Sequence, residues 1–383
     1  MSRLQTNHDA AGSSGLALES RATRFAIVAF VLTGVVTIFV FHGTHAPLAG
    51  EGSVGALAAW AGGGFAAVTF ATSFTIETRR GHAAWRARLP LVKRLIDVFG
   101  MSMAMGILAY LIVTAVAQLF QQGFLGMTVD AYGGGVLSGA AAAALVYAAS
   151  LAGARVTSEG LAMLATLVLF MGTMASMLSA PDESWWQLHF SQLGNSESMS
   201  GYRFNLSLMV TGLVLTVLAN YLGRDFEIGM RMRGHEPARL VRLLSWLFAC
   251  IGVLLAIVGL VPDAVNFAVH VGSASGMVVL FVVYATVALR RLPGVPKDFG
   301  GFTVGIVVGI AVSILLWIPI GYYNLTGMEF IAAGLLFAWL MVFVRMATVY
   351  GGERLSENRL AMAGGADVSS SGFEGGSGVR LDA

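Results

Sequence analysis

Side chains that hold or move protons stand in several otherwise apolar stretches of this chain: His270, the carboxylates Asp263 and Glu329, and the close pair His189 and Ser191. Imidazole changes charge between about pH 5 and 8, and burial disfavours the charged form of a carboxylate. Such groups can serve as acid and base, ligate a metal, or receive the polar part of a ligand. Asp263, Asn266, His270, Ser273 and Met277 follow the spacing i, i+3, i+7, i+10, i+14, which places them on one stripe of a helix. The simplest role for Asp263 is to cap that helix, and the simplest for His270 is that of a hydrogen-bonded structural histidine. His189 and Ser191 share a face only if their segment is extended. Asn205 opens one apolar run, and Glu329 stands just inside another, after Tyr322, Tyr323 and Asn324. His189, Ser191, Asn205, Asp263, Asn266, His270 and Glu329 are therefore the expected ligand-binding positions, with no catalytic role assigned among them. No H-E-x-x-H, G-x-S-x-G or glycine-rich phosphate loop accompanies them. His42 and His45 add no recognisable metal spacing, so neither a metal nor a cofactor is expected.

The elements that must position these residues are membrane helices. The chain is 56% hydrophobic and 11% charged, with a mean hydropathy of +0.76, whereas soluble domains carry about 25% charged residues. Crossing a hydrocarbon core of about 30 Å takes roughly 20 apolar residues in a helix. Ten stretches qualify, near 25–42, 56–76, 98–119, 133–153, 160–180, 204–222, 241–261, 264–288, 301–321 and 328–348. The fold class is all-α, a polytopic transmembrane bundle of about ten helices. Of the 23 Lys and Arg residues, only Arg203 falls in the odd-numbered connections. Basic residues are retained on the cytoplasmic side, so both termini are expected there. The odd-numbered connections form an arginine-poor end, at or near which all seven candidate residues lie.

Composition also excludes functions. A net charge of +2 with dispersed basic residues gives no surface for nucleic acid. Cys250 is the sole cysteine, so there is no intrachain disulfide and no cysteine-based metal site; it reads as a small buried apolar residue. None of the ten segments carries a charge at its centre, which weakens an ion-coupled pathway. The arginine preference and abundant Ala and Gly suit a bacterial chain, and hence the plasma membrane. Gly135 and Gly139, Gly272 and Gly276, and Gly301, Gly305 and Gly309 recur at i, i+4, which predicts close packing within the bundle, or between copies. The first 24 residues read as a cytoplasmic tail, 25–157 as a four-helix region and 158–348 as a six-helix unit. The Gly- and Ser-rich segment 349–383 reads as a disordered tail.

The six-helix unit resembles a family of membrane proteins of unknown function, DUF998. The resemblance is carried by Phe190-Ser-Gln-Leu-Gly194, by Phe204-Asn205 with Thr211-Gly212-Leu213, by Gly259-Leu-Val-Pro262 followed by His270, and by Gly327-Met-Glu329. It spans about residues 160–348. Family members often have Asp where Gln192 stands and Arg where Phe330 stands, so a charge pair at those positions is not expected. The resemblance implies a six-helix unit with polar residues near the outer face, and no established activity. The residues themselves favour an outer-leaflet pocket that binds or moves a lipid or lipid-linked molecule. The alternatives are a non-catalytic subunit for a membrane-protein partner, an intramembrane hydrolase or acyltransferase using His270, Asp263, Glu329 or His189, and a small-solute transporter.

Overall fold

The computed structural model describes residues 2–79 and 91–370. Ten helices fill them: α1 (Ser2–Val40), α2 (Val54–Arg79), α3 (Leu91–Gly123), α4 (Ala131–Ala154), α5 (Ser158–Met177), α6 (Met199–Met232), α7 (Ala238–Leu260), α8 (Phe267–Arg291), α9 (Lys297–Trp317) and α10 (Leu325–Ser370). All ten contain a stretch long and apolar enough to cross a membrane. This is a multi-pass membrane protein.

Two helices outrun their expected ends. The segment before the first span is helical from Ser2, and α10 continues through much of the segment read as a disordered tail, as far as Ser370. Glu353-Arg-Leu-Ser-Glu-Asn-Arg-Leu-Ala-Met-Ala363 consists mostly of good helix formers, which extend a helix already nucleated in the bundle. The remainder of that tail, and Arg80, Arg86 and Arg88 of the second connection, lie outside the described residues.

Hydrogen bonds tie the five arginine-poor connections together at one end. The strand β1 (His45–Pro47) pairs antiparallel with β2 (Thr128–Asp130), His45 opposite Asp130. This ribbon was not legible in two such short segments. Asp130 then caps α4, accepting the N–H groups of Gly133 and Tyr132, and those two bonds hold its carboxyl below the usual carboxylate range. Gln121 Oε1 accepts from the Leu48 N–H at 2.7 Å, and Gln122 Nε2 donates to the Leu178 carbonyl at 3.1 Å. Asn324 Nδ2 donates to the Trp186 carbonyl at 2.6 Å, and Asn195 Oδ1 accepts from the Ala264 N–H at 3.3 Å. At the opposite end Arg21 pairs with Glu77 and Arg345 with Glu159. The two sets of ties support the alternation inferred from basic residues.

α1 to α4 pack together, and α3 bridges them to α5 and α6. α6 is the central helix among α5 to α10, packed against α5, α7 and α10. Lipid tails are as apolar as leucine, so helices associate through backbone approach rather than water exclusion. Along α6 and α7 this approach is closest at Gly212, Gly252 and Gly259. A Cβ at Gly252 would lie 2.6 Å from the Gly212 carbonyl oxygen and 2.8 Å from the Thr216 nitrogen. One at Gly259 would lie 2.5 Å from the Asn205 carbonyl oxygen.

The glycine rows noted in the sequence divide differently. Gly135 and Gly139 pack against α1, and Gly276 and Gly309 meet leucines, but a Cβ at Gly272, Gly301 or Gly305 would meet nothing within 4 Å. The rows are therefore only partly packing faces, because α9 touches little besides α10. Gly301→Ala and Gly305→Ala should leave stability unchanged or raise it by up to about 1 kcal/mol each from helix propensity. Thermal unfolding of the purified variants checks this. Cys250 is also on the outside of α7 rather than buried.

Candidate functional site

Pro262 shapes the site first. It cannot continue a helix, so α7 stops at Leu260 and the chain turns before α8 starts at Phe267. The N–H groups of Val265 and Asn266 bond back to the Pro262 carbonyl, at 2.9 and 3.1 Å. The Val261 carbonyl is left for another donor. His270, in the first turn of α8, supplies it, with Nδ1 at 2.8 Å from that oxygen.

A carbonyl can only accept, so Nδ1 carries the proton and a neutral ring presents a lone pair at Nε2. Ser191 Oγ stands 2.9 Å from Nε2, and its hydroxyl donates there. The ring is 6% exposed and held at both nitrogens. Ser191 reaches it from a 3₁₀ helix, Phe190–Asn195, that crosses the arginine-poor end of the bundle.

His189 precedes that helix in an extended conformation, φ −160° and ψ 162°. It therefore points elsewhere than Ser191, and its Nε2 lies 3.3 Å from Asp263 Oδ2. The pair is an ion pair when the histidine is protonated; the side chains are 25% and 11% exposed. Asp263 does not cap α8. Asn266 does, accepting the Val269 N–H at 3.1 Å, because the turn at Pro262 delays the helix start by one turn. Asn266→Ala should thus cost about 1 kcal/mol of stability through the lost cap and leave the histidine cluster in place; a thermal melt alongside ligand retention would show it.

Glu329 comes from the second turn of α10, whose start is capped by Asn324 accepting the Gly327 N–H at 3.0 Å. Its Oε2 accepts the Phe190 N–H at 2.6 Å, and it interacts electrostatically with His189, His270 and Asp263. Phe330 stacks on Phe190, centroids 6.0 Å apart and planes 11° from parallel. An aromatic contact occupies the position where a charge pair was not expected.

Five of the seven anticipated residues thus converge: His189, Ser191, Asp263, His270 and Glu329. Asn205 does not join them, because its Nδ2 donates to the Gly194 carbonyl at 2.8 Å and fastens the 3₁₀ helix to α6. Asn266 serves its helix end. Among the described residues no group of three or more His, Cys, Asp or Glu is arranged to hold a metal ion.

A cavity of about 210 Å³ opens beside the same 3₁₀ helix, lined among others by Asp182, Trp185, Gln192, Asn195, Ser196 and Ser200. None of the anticipated residues lines it. The Ser184 hydroxyl and backbone N–H both donate to Asp182 and hold its carboxyl below the usual carboxylate range. That wall therefore stays negative throughout the neutral range. Arg203, the basic residue of this end, lies across the junction with α3, its Nε donating to the Tyr110 hydroxyl at 3.1 Å and Nη1 to Ser179 Oγ at 3.0 Å.

Residues 163–346 match the model of the family described as protein of unknown function, DUF998. The second half of the chain is similar to the DUF998 family over these residues. The match covers a little under half of the chain and contains every residue of the cluster and its neighbouring cavity, while α1 to α4 lie outside it. No curated protein and no solved structure matches the chain. For this DUF998-like region the site chemistry is accordingly read from its own geometry.

Proposed function

We propose that the protein lies in a bacterial plasma membrane with both termini in the cytoplasm, and that its arginine-poor end forms an outer-leaflet site for a lipid or lipid-linked molecule. The observation carrying this reading is the convergence of two histidines and two carboxylates from three separate segments around the 3₁₀ helix. Ionisable groups brought out of water at the end of a membrane bundle are costly, and simple helix packing does not need them.

The surroundings favour an amphipathic ligand. Exposed apolar side chains flank the cluster: Phe267, Val269 and Val271 on α8 and Phe330 on α10. Their exposed apolar surface suits contact with acyl chains. Polar groups of the cluster and of the adjoining cavity offer donors and acceptors to a headgroup, and the negative Asp182 wall suits hydroxyl-rich or cationic ones.

Mass spectrometry of lipids retained by the detergent-purified protein tests the reading. A defined lipid enriched in wild type over detergent blanks and depleted in Glu329→Ala supports it. Identical bulk lipid in both proteins would contradict it.

A further inference from the structure

Beyond binding, the geometry points to an acyl-transfer site: we propose that Ser191 is a nucleophile activated by His270, acting on a carboxylic ester of a membrane lipid. The inference rests on the lipid-binding reading and adds the chemistry and the substrate class.

Two features carry it. The Ser191 hydroxyl lies 2.9 Å from His270 Nε2, within the range required between a nucleophile and its general base. The base is fixed by a third group, since Nδ1–H donates to the Val261 carbonyl at 2.8 Å and leaves Nε2 free to take a proton. In this respect the carbonyl does the orienting that a carboxylate does in a serine–histidine–aspartate arrangement. Among the described residues no other serine hydroxyl is hydrogen-bonded to an imidazole.

The reaction balances with water as the only co-reactant. Ser191 Oγ attacks the ester carbonyl carbon while its proton passes to His270 Nε2. The tetrahedral species collapses with cleavage of the ester C–O bond, and the departing alkoxide takes that proton and leaves as the alcohol. A water molecule from the membrane surface then attacks the acyl-serine carbonyl, giving its proton to Nε2. Ser191 Oγ departs and recovers a proton from Nε2, and the carboxylic acid is released. If a second alcohol replaces water, the acyl group is transferred to it instead.

The substrate must present an ester at the membrane surface with its acyl chain in the bilayer. Phe267 and Val271 stand beside His270 on α8 and Phe330 stacks on Phe190 next to Ser191, and the three are 68%, 40% and 66% exposed. A water-soluble ester would have no use for those side chains.

The test is covalent labelling of the full-length protein in lipid nanodiscs with a fluorophosphonate, which modifies activated serines. Wild type should be labelled at Ser191, as mapped by peptide mass spectrometry, and Ser191→Ala should not be labelled. His270→Gln should slow labelling by at least about 100-fold, the usual contribution of a general base. If His270→Gln does not fold, the labelled position in wild type and its loss in Ser191→Ala decide the matter alone. Absence of labelling, labelling at another serine, or a rate unchanged by His270→Gln would overturn the proposal. A wild type that enriches a defined lipid yet is not labelled overturns the acyl transfer and leaves the binding reading standing.

Discussion

Gly252→Val should abolish recovery of folded protein, as few other single substitutions in the bundle would. A Cβ at this position lies 2.6 Å from the Gly212 carbonyl oxygen and 2.8 Å from the Thr216 nitrogen, and both obstacles are backbone. A side chain could swing away, but the backbone of α6 can move only if the helix is displaced. α6 is also the helix on which α5, α7 and α10 converge. Overpacking a core ordinarily costs about 1–3 kcal/mol, and a collision between backbones exceeds that range. Size-exclusion chromatography of the detergent extract should show the variant aggregated or lost, while Gly305→Ala elutes like wild type. Normal elution of Gly252→Val would mean that α6 and α7 are not in close backbone contact at this position.

His270→Ala should also have a large effect, acting on both stability and the site. The ring satisfies the Val261 carbonyl with one nitrogen and the Ser191 hydroxyl with the other, in an environment where it is 6% exposed. Removing it leaves two polar groups without that partner, at about 1–3 kcal/mol for each that stays buried and unpaired. It also frees the 3₁₀ helix from α8. Ser191→Ala is milder, on the order of 1 kcal/mol, because His270 keeps its bond to Val261. Paired thermal melts should therefore rank wild type above Ser191→Ala, and Ser191→Ala well above His270→Ala. If the two variants melt together, the Val261 bond contributes nothing and the histidine is not anchored through it.

The helices were legible from the chain because a run of roughly 20 apolar residues has few other fates. The ties between connections agree with the division into two ends that the basic residues indicated. His270 and Glu329 stood out for a related reason, being ionisable groups close to apolar surroundings. What they bond to was less visible. His189 and Ser191 diverge because the chain passes from an extended residue into a 3₁₀ helix between them, a change that no periodicity signals. Asp263 and Asn266 are both good capping residues, and Pro262 decides between them by setting where α8 begins.

The cavity residues Gln192, Asn195 and Ser196 were missed as a site because uncharged polar side chains in a connection carry no spacing signal. Their position in the Phe190–Gly194 run and immediately beyond it was the available clue. The glycine rows show the reverse failure. Spacing alone does not tell a packed face such as Gly135 and Gly139 from the open one at Gly301 and Gly305, since that depends on which neighbour the helix has.

The most direct test of an outer-leaflet headgroup site is an electron cryomicroscopy map of the protein in nanodiscs made from its native membrane lipids. Headgroup density against Ser191, His189 and Glu329, with an acyl chain running past Phe267 and Phe330, is the expected result. A map with the His270–Ser191 and His189–Asp263 contacts intact, but with lipid density only in the general annulus around the bundle, would contradict it.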